Sequence, residues 1–178
     1  MQLKVVSLLV GILFAVTQMK YGVESKTVCP TFWVPFQESC YRIFGNLLNW
    51  SDAEESCNKY FNEFEMGHMV SIRSSVENRF VADLWESATN GRTTTPVQGG
   101  VPVNYWIGLS NKDNVSRWVW SDTSEEAVYT EWAPSEPNYL QVDHCAHTWP
   151  KNGNSLTWNN WRCDKLLFFV CELPQSRH

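Results

Sequence analysis

Apolar residues recur at helical spacing in two stretches of the chain, and each stretch is preceded by a helix-start signal. Ser51-Asp52-Ala53-Glu54 has the form of a capping box, in which the Ser51 hydroxyl accepts from the amide three residues on and Glu54 reaches back to the Ser51 amide. The helix predicted there turns Ala53, Cys57, Tyr60, Phe61 and Phe64 toward one face, so Cys57 points inward. Ser74-Ser75-Val76-Glu77 repeats the signal. Val76, Phe80, Leu84 and Ala88 follow at intervals of four, and Gly91 after Asn90 supplies the positive φ of a C-cap. Elsewhere the pattern is that of strands. Cys29 to Tyr41, with two prolines and several aromatics, predicts a hairpin turning near Phe36-Gln37-Glu38, and Tyr41 to Phe44 continues it. Gly67 to Ile72 reads as a short buried strand. Trp106-Ile107-Gly108-Leu109, Arg117 to Trp120 and Leu167 to Cys171 are bounded by Asn, Asp, Ser and Gly and read as further strands. The segment from Arg92 to Val103, rich in Thr, Gly and Pro, is expected to be a surface loop. Two helices precede a strand-rich, loop-rich half, and the class is α+β.

The N-terminal pattern is of another kind. Lys4 precedes an apolar run from Val5 to Val16, broken by Ser7 and Gly11, which is too short for a membrane span of ~20 residues. That is the form of a secretory signal peptide, here assigned to residues 1–25, and residues 26–178 then make a single domain with enough chain to bury a core. No later run is long enough to span a membrane. All 6 cysteines lie beyond the signal. Secretion favours disulfides, and the short interval between Cys29 and Cys40 suits a bridge across the first hairpin, although six cysteines allow 15 connectivities.

Charge and composition narrow the function. The formal net charge of -5 is mild and dispersed, which argues against nucleic acid as a partner. The 10 tryptophans are expected mainly in the core. Asn49-Trp50-Ser51 and Asn114-Val115-Ser116 are acceptor triplets for N-glycosylation, the first at a predicted helix start. No heptads or collagen triplets are present, and the oligomeric state stays open.

The chemistry concentrates between Glu136 and Cys163. Glu136-Pro137-Asn138, Asp143-His144-Cys145 and Trp158-Asn159-Asn160-Trp161-Arg162-Cys163 bring five oxygen-bearing side chains into one stretch: Glu136, Asn138, Asp143, Asn159 and Asn160. Such a set suits calcium, which takes six to eight oxygens, whereas zinc and copper prefer sulfur and imidazole. An enzymatic reading is weak. Glu136 and Asp143 as a glycosidase pair would leave no proton donor if both are ionised metal ligands, and His144, Cys145 and His147 are poorly spaced for zinc.

Taken together, Cys29-Pro30, Trp33, Cys40-Tyr41, Ser51-Asp52-Ala53 with Cys57, Val70-Ser71-Ile72, Glu77-Asn78, Trp106 to Leu109, Trp118, Trp120, Glu136-Pro137-Asn138, Cys145, Trp158-Asn159, Cys163 and Cys171-Glu172 resemble the C-type lectin domain in its long, six-cysteine form. The resemblance runs from Cys29 to Leu173. It implies two helices, short antiparallel sheets, a long calcium-binding loop region, and disulfides Cys29–Cys40, Cys57–Cys171 and Cys145–Cys163. It also implies a cis peptide before Pro137 and a calcium ion held by Glu136, Asn138, Asp143, Asn159 and Asn160. The family normally places aspartate at the position of Asn160, so the expected cage has two charges instead of three and a weaker hold on the ion. His144 stands where an acidic residue usually serves a second calcium, and no second ion is expected. Sugar binding would follow from the cage through Glu136, Asn138, Asp143 and Asn159. The order acid, proline, amide implies glycans with equatorial vicinal hydroxyls, such as mannose, glucose or N-acetylglucosamine. Tyr139, Trp149 and Trp161 are candidates to pad the sugar. The expected role is a secreted lectin, of the kind often used in innate immunity. The alternative is a protein-interaction, ice-binding or mineral-matrix module on the same scaffold, since fold does not fix function.

Overall fold

The computed structural model describes residues 28–63, 65–89, 97–98, 101–102, 104–149 and 156–175. The expected signal segment, Phe64 and the Asn90-Gly91 cap lie outside them. The first hairpin pairs β1 (Val34–Phe36) with β2 (Ser39–Leu48) around a turn at Gln37-Glu38. After it come α1 (Trp50–Asn58), β3 (His68–Met69), α2 (Ser75–Thr89), β4 (Val97–Gln98), β5 (Val101–Pro102), β6 (Tyr105–Ser110), β7 (Val119–Trp120), β8 (Cys145–Thr148), β9 (Trp158–Trp161) and β10 (Leu167–Pro174).

The last strand sits at the centre. β10 runs antiparallel to β2 from Leu167 opposite Leu48 to Pro174 opposite Ser39, and parallel to β6 on its other side, while β3 pairs with its Cys171-Glu172 end. The sheet continues from β6 to β8 and β9, with β7 beside β6. Strand alternation then sorts the apolar residues into two cores. Leu167, Phe169, Cys171 and Leu173 of β10 and Trp106 of β6 pack with Trp50, Ala53 and Cys57 of α1. Val170, Tyr105, Ile107 and Leu109 pack with Val81 and Trp85 of α2. A strand covered on both faces reads as a continuous apolar run, which is why β6 and β10 were legible. Each large apolar side chain fully buried this way contributes about 1.5–3 kcal/mol. Gly108 marks the closest approach: a Cβ there would lie 2.6 Å from the Met69 carbonyl oxygen, so no larger residue fits between β6 and β3.

The disulfides are Cys29–Cys40, Cys57–Cys171 and Cys145–Cys163, the pairing the resemblance implied. Several local expectations change. The N-cap of α1 is Asn49, two residues before Ser51: its Oδ1 accepts from the Asp52 amide at 2.9 Å, and its Nδ2 donates to Asp52 Oδ2 at 2.7 Å. Glu54 is thereby released from capping. It lies 2.5 Å from His68 Nδ1 and accepts from the Met69 amide and the Ser121 hydroxyl, tying α1 to β3. α1 ends at Asn58, which leaves Phe61 exposed instead of on an inner face. In α2 the Ser74 hydroxyl accepts from the Glu77 amide as a cap should, but the inner face is turned by one residue: Glu77, Val81 and Trp85 are buried and Val76 is exposed. The buried acid explains the shift, because apolar counting alone misses a carboxylate paired inside. β3 is shorter than the strand expected over Gly67 to Ile72, β7 spans only the last two residues of Arg117 to Trp120, and the expected loop contains the β4–β5 pairing.

Candidate functional site

The site rests on Trp158, at the start of β9. Its ring is fully buried, with Trp120, Tyr129 and Trp132 edge-on to it at 5.7–6.0 Å. Its indole N–H donates to Asn78 Oδ1 (3.0 Å), and Asn78 Nδ2 donates in turn to the Leu156 carbonyl (2.8 Å). The backbone of Trp158 fastens the segment that carries the first cluster: its amide donates to the Glu131 carbonyl and its carbonyl accepts from the Ala133 amide, both at 2.8 Å. From Ala133 the chain folds once more, with the Glu136 amide donating to the Ala133 carbonyl, and enters the cis peptide Glu136–Pro137. The following turn is closed by the amides of Val142 and Asp143 donating to the Tyr139 carbonyl, at 2.9 and 3.1 Å. The Cys145–Cys163 bridge then joins β8 to the turn that follows β9.

The two asparagines after Trp158 part ways. Their amides take different partners: one meets a histidine, and its neighbour meets the loop backbone. On the loop side, Asn160 is 1% exposed. Its Oδ1 accepts from the Asn138 amide at 2.9 Å, and its Nδ2 donates to the Asp143 carbonyl at 2.8 Å and to the Asn138 carbonyl. The Asn160 side chain thus joins the backbones of Asn138 and Asp143. Asn159 sits opposite His147 in the β8–β9 ladder. His147 is buried, and its Nδ1 lies 2.7 Å from the Thr148 carbonyl oxygen, which can only accept, so Nδ1 carries the proton. Burial pushes its pKa down to about 4, and the ring is neutral at pH 7. Nε2 is then an acceptor, and it takes a hydrogen bond from Asn159 Nδ2 at 3.2 Å. This fixes the amide: Asn159 Oδ1 is turned away from the histidine, buried, and accepts from no donor.

The carboxylates complete the polar set. Glu136 is half-buried with its Oε2 closed off from solvent. Partial burial raises the pKa of Asp143, and the nearby charge of Arg162 opposes the shift. Arg162 is engaged by Asp164 through two contacts, at 2.7 and 3.1 Å. Among the described residues, no group of three His, Cys, Asp or Glu side chains converges. The donor chemistry fits a hard cation, and the unmet oxygen of Asn159 is a point where such an ion fits. His144 serves the scaffold: its Nδ1 lies 3.0 Å from Asn111 Oδ1, and its carbonyl accepts from the Asn111 amide. At the rim, Tyr139 is 75% exposed and Trp161 36% exposed, whereas Trp149 is half-buried and its amide pairs with Thr157. Sequence reasoning missed the roles of His147 and Asn78. A histidine on a strand next to a disulfide gives no signal by itself, and its meaning comes only from the cross-strand register.

The domain is thus a doubly cored α+β fold stapled by three disulfides, with oxygen-bearing side chains on a loop and on the strand beside it. The chain belongs to the C-type lectin domain family: the model for the Lectin C-type domain matches residues 46–173. It is 34% identical over 167 residues to a C-type lectin mannose-binding isoform of Notechis scutatus scutatus, covering 93% of this chain and 96% of that one. It is 32% identical over 144 residues to an alpha-N-acetylgalactosamine-specific lectin of Patiria pectinifera, covering 81% and 79%. Among solved structures it resembles the C-type lectin CEL-I from Cucumaria echinata with a TM-score of 0.67 and 26% identity, over 81% of this chain and 96% of that one. The family is one of carbohydrate-binding, non-enzymatic proteins, which removes the glycosidase reading of Glu136 and Asp143. No helix among the described residues is long and apolar enough to cross a membrane.

Proposed function

We propose that this protein is a secreted, calcium-dependent lectin for mannose-type sugars, acting through Glu136, Asn138, Asp143 and Asn159. The observation that carries the reading is Asn159 Oδ1, a buried amide oxygen without a donor, held in that orientation by a neutral histidine. Leaving a buried acceptor unmet costs about 1–3 kcal/mol, and a hard cation offsets that cost. Glu136 and Asp143 provide the negative charge and Asn138 a further amide. Both Nδ2 hydrogens of Asn160 are committed to backbone carbonyls, so its side chain supports the loop that carries the ligands.

When bound, calcium would take lone pairs from two neighbouring ring hydroxyls. The protein does the rest: the carboxylates of Glu136 and Asp143 accept the hydroxyl protons, and the amides of Asn138 and Asn159 donate, the latter with the Nδ2 hydrogen that His147 does not use. The order Glu136, Pro137, Asn138 supports equatorial vicinal hydroxyls, and the Notechis relative is named as mannose-binding. The Patiria relative is named for N-acetylgalactosamine, so family membership alone does not set the sugar. Secretion is supported by the three disulfides, which persist in oxidising compartments, and by the apolar run behind Lys4. Asn114, on an exposed turn, is the favoured glycosylation site, because the amide nitrogen of Asn49 is held by Asp52.

The test is retention on mannose-agarose in millimolar calcium with galactose-agarose as the control. Retention on mannose and elution by a chelator are expected. Passage through both columns would sink the lectin reading, and retention on galactose alone would overturn the sugar assignment.

A further inference from the structure

We propose that the Asn160 side chain clamps the ligand-bearing loop shut, so that the loop from Glu136 to Asp143 keeps its folded form without a bound cation. The inference deepens the reading above only in naming calcium as the ion the loop awaits. The clamp itself depends on neither ion nor sugar.

One buried amide makes three bonds to the backbone at the two ends of the loop. Asn138 both donates to Oδ1 and accepts from Nδ2, and the Asp143 carbonyl accepts from the same Nδ2. The orientation is overdetermined, since an N–H needs an acceptor and two carbonyls need donors. Only a group with both functions satisfies all three, and a carboxylate has no hydrogen to give. An aspartate at this position would set a negative oxygen against two carbonyl oxygens in a buried space, an arrangement that holds only with a cation among them. The identity of residue 160 therefore decides whether the loop needs an ion to close. Further fastenings of the loop are made by backbone or sulfur: the bonds from Ala133 to Trp158 and from Glu136 to Ala133, the turn at Tyr139, and the Cys145–Cys163 bridge. The backbone that carries Glu136, Asn138 and Asp143 is thus held in advance, and an ion would enter without ordering the loop.

Tyr139 offers the readout, because it is exposed at the loop tip and chymotrypsin cuts after it once the loop opens. Cleavage at Tyr139-Leu140 is to be followed in calcium and in chelator, with no sugar present, for the natural protein and for Asn160→Asp. For the natural protein, rates within about twofold of each other are expected, since no bond of the clamp involves the ion. For Asn160→Asp, cleavage at least about tenfold faster in chelator is expected, with calcium restoring resistance. Hydrogen exchange of the Asn138 amide in the natural protein serves as a measurement that needs no variant, and slow exchange in chelator is expected. Loop cleavage of the natural protein that accelerates tenfold in chelator, rapid exchange at Asn138, or an Asn160→Asp variant as resistant as the natural protein in chelator would each overturn the clamp. A failed mannose column would leave all of these readings intact, so the two proposals fail separately.

Discussion

Two buried polar clusters in this protein solve the same problem with opposite chemistry. Behind the candidate site the supporting groups are neutral: the amides of Asn159 and Asn160 and the uncharged ring of His147. Under α2 the buried groups are acids. Glu77 and Glu172 share the Tyr41 hydroxyl, at 2.9 and 3.3 Å, while the amides of Arg73 and Ser71 donate to their other oxygens at 2.7 and 3.2 Å. Burial raises the pKa of Glu172 to about 7, with the charge of Glu77 adding to it, and burial raises that of Glu77 as well. The Arg73 guanidinium opposes both but is itself bound to Asp122 at 2.6 Å. The lesson concerns where a protein tolerates proton exchange. A loop that must keep its shape uses amides, whose hydrogen bonds do not change with pH, and the acid pair is placed in the scaffold behind a second helix.

The largest test of that contrast is the pH dependence of stability. Glu172 binds its proton more tightly in the folded state than in the unfolded one, so its contribution is fully present below about pH 4.5 and is lost as pH rises through about 7. Glu77 and the His68 ring, whose pKa is raised by Glu54, act in the same direction. We expect the unfolding free energy to fall by roughly 3 kcal/mol over this window and Glu172→Gln to remove most of the fall. Denaturant midpoints measured at intervals of pH provide the check. A flat profile for the natural protein would show that the acids are not jointly buried.

A second, smaller effect isolates the shared hydroxyl. Burial and the two carboxylates push the Tyr41 phenol far above its usual pKa, so it remains a donor throughout. Tyr41→Phe leaves two buried carboxylates with one donor fewer, and a loss of about 2 kcal/mol is expected at pH 7, larger than at pH 4. Equal losses at both pH values would mean the hydroxyl acts only through packing.

How far each cluster was legible in the sequence follows from the same contrast. β6, β10 and the cap of α2 were readable because burial on both faces and a serine three residues before a glutamate leave clear patterns. The inner face of α2 was misplaced by one residue because Glu77 is buried through Tyr41, and apolar periodicity has no way to count a paired acid. Asn49 was overlooked as a cap since Ser51 and Glu54 match a capping box, whereas Glu54 is drawn to His68 and Met69 by a contact far along the chain. At the site, the oxygen-rich residues were visible by type. What could not be read was direction: adjacent asparagines on one strand face different neighbours, and an amide acts as ligand or as clamp according to which of its ends meets the backbone.

The smallest test bears on the neutral cluster and decides whether His147 is packing or positioning. The ring touches Trp106 edge-on at 5.7 Å and lies 5.6 Å from Trp161, so an aromatic substitute fits the space. His147→Phe keeps that packing and removes the acceptor for Asn159 Nδ2. The amide is then free to turn, and its oxygen no longer has a fixed direction. Partners that orient a ligand in this way are worth roughly tenfold or more in metal affinity. Calorimetric titration with calcium is expected to show His147→Phe about tenfold weaker than the natural protein, with a thermal midpoint changed little, and His147→Gln largely restored because its amide oxygen accepts the same hydrogen. A structural role alone predicts the reverse ranking, with glutamine more damaging than phenylalanine in the midpoint and calcium affinity following stability. If all three proteins bind calcium equally, the orientation of Asn159 is set elsewhere, and the contrast between a fixed amide site and a titrating scaffold loses its first half.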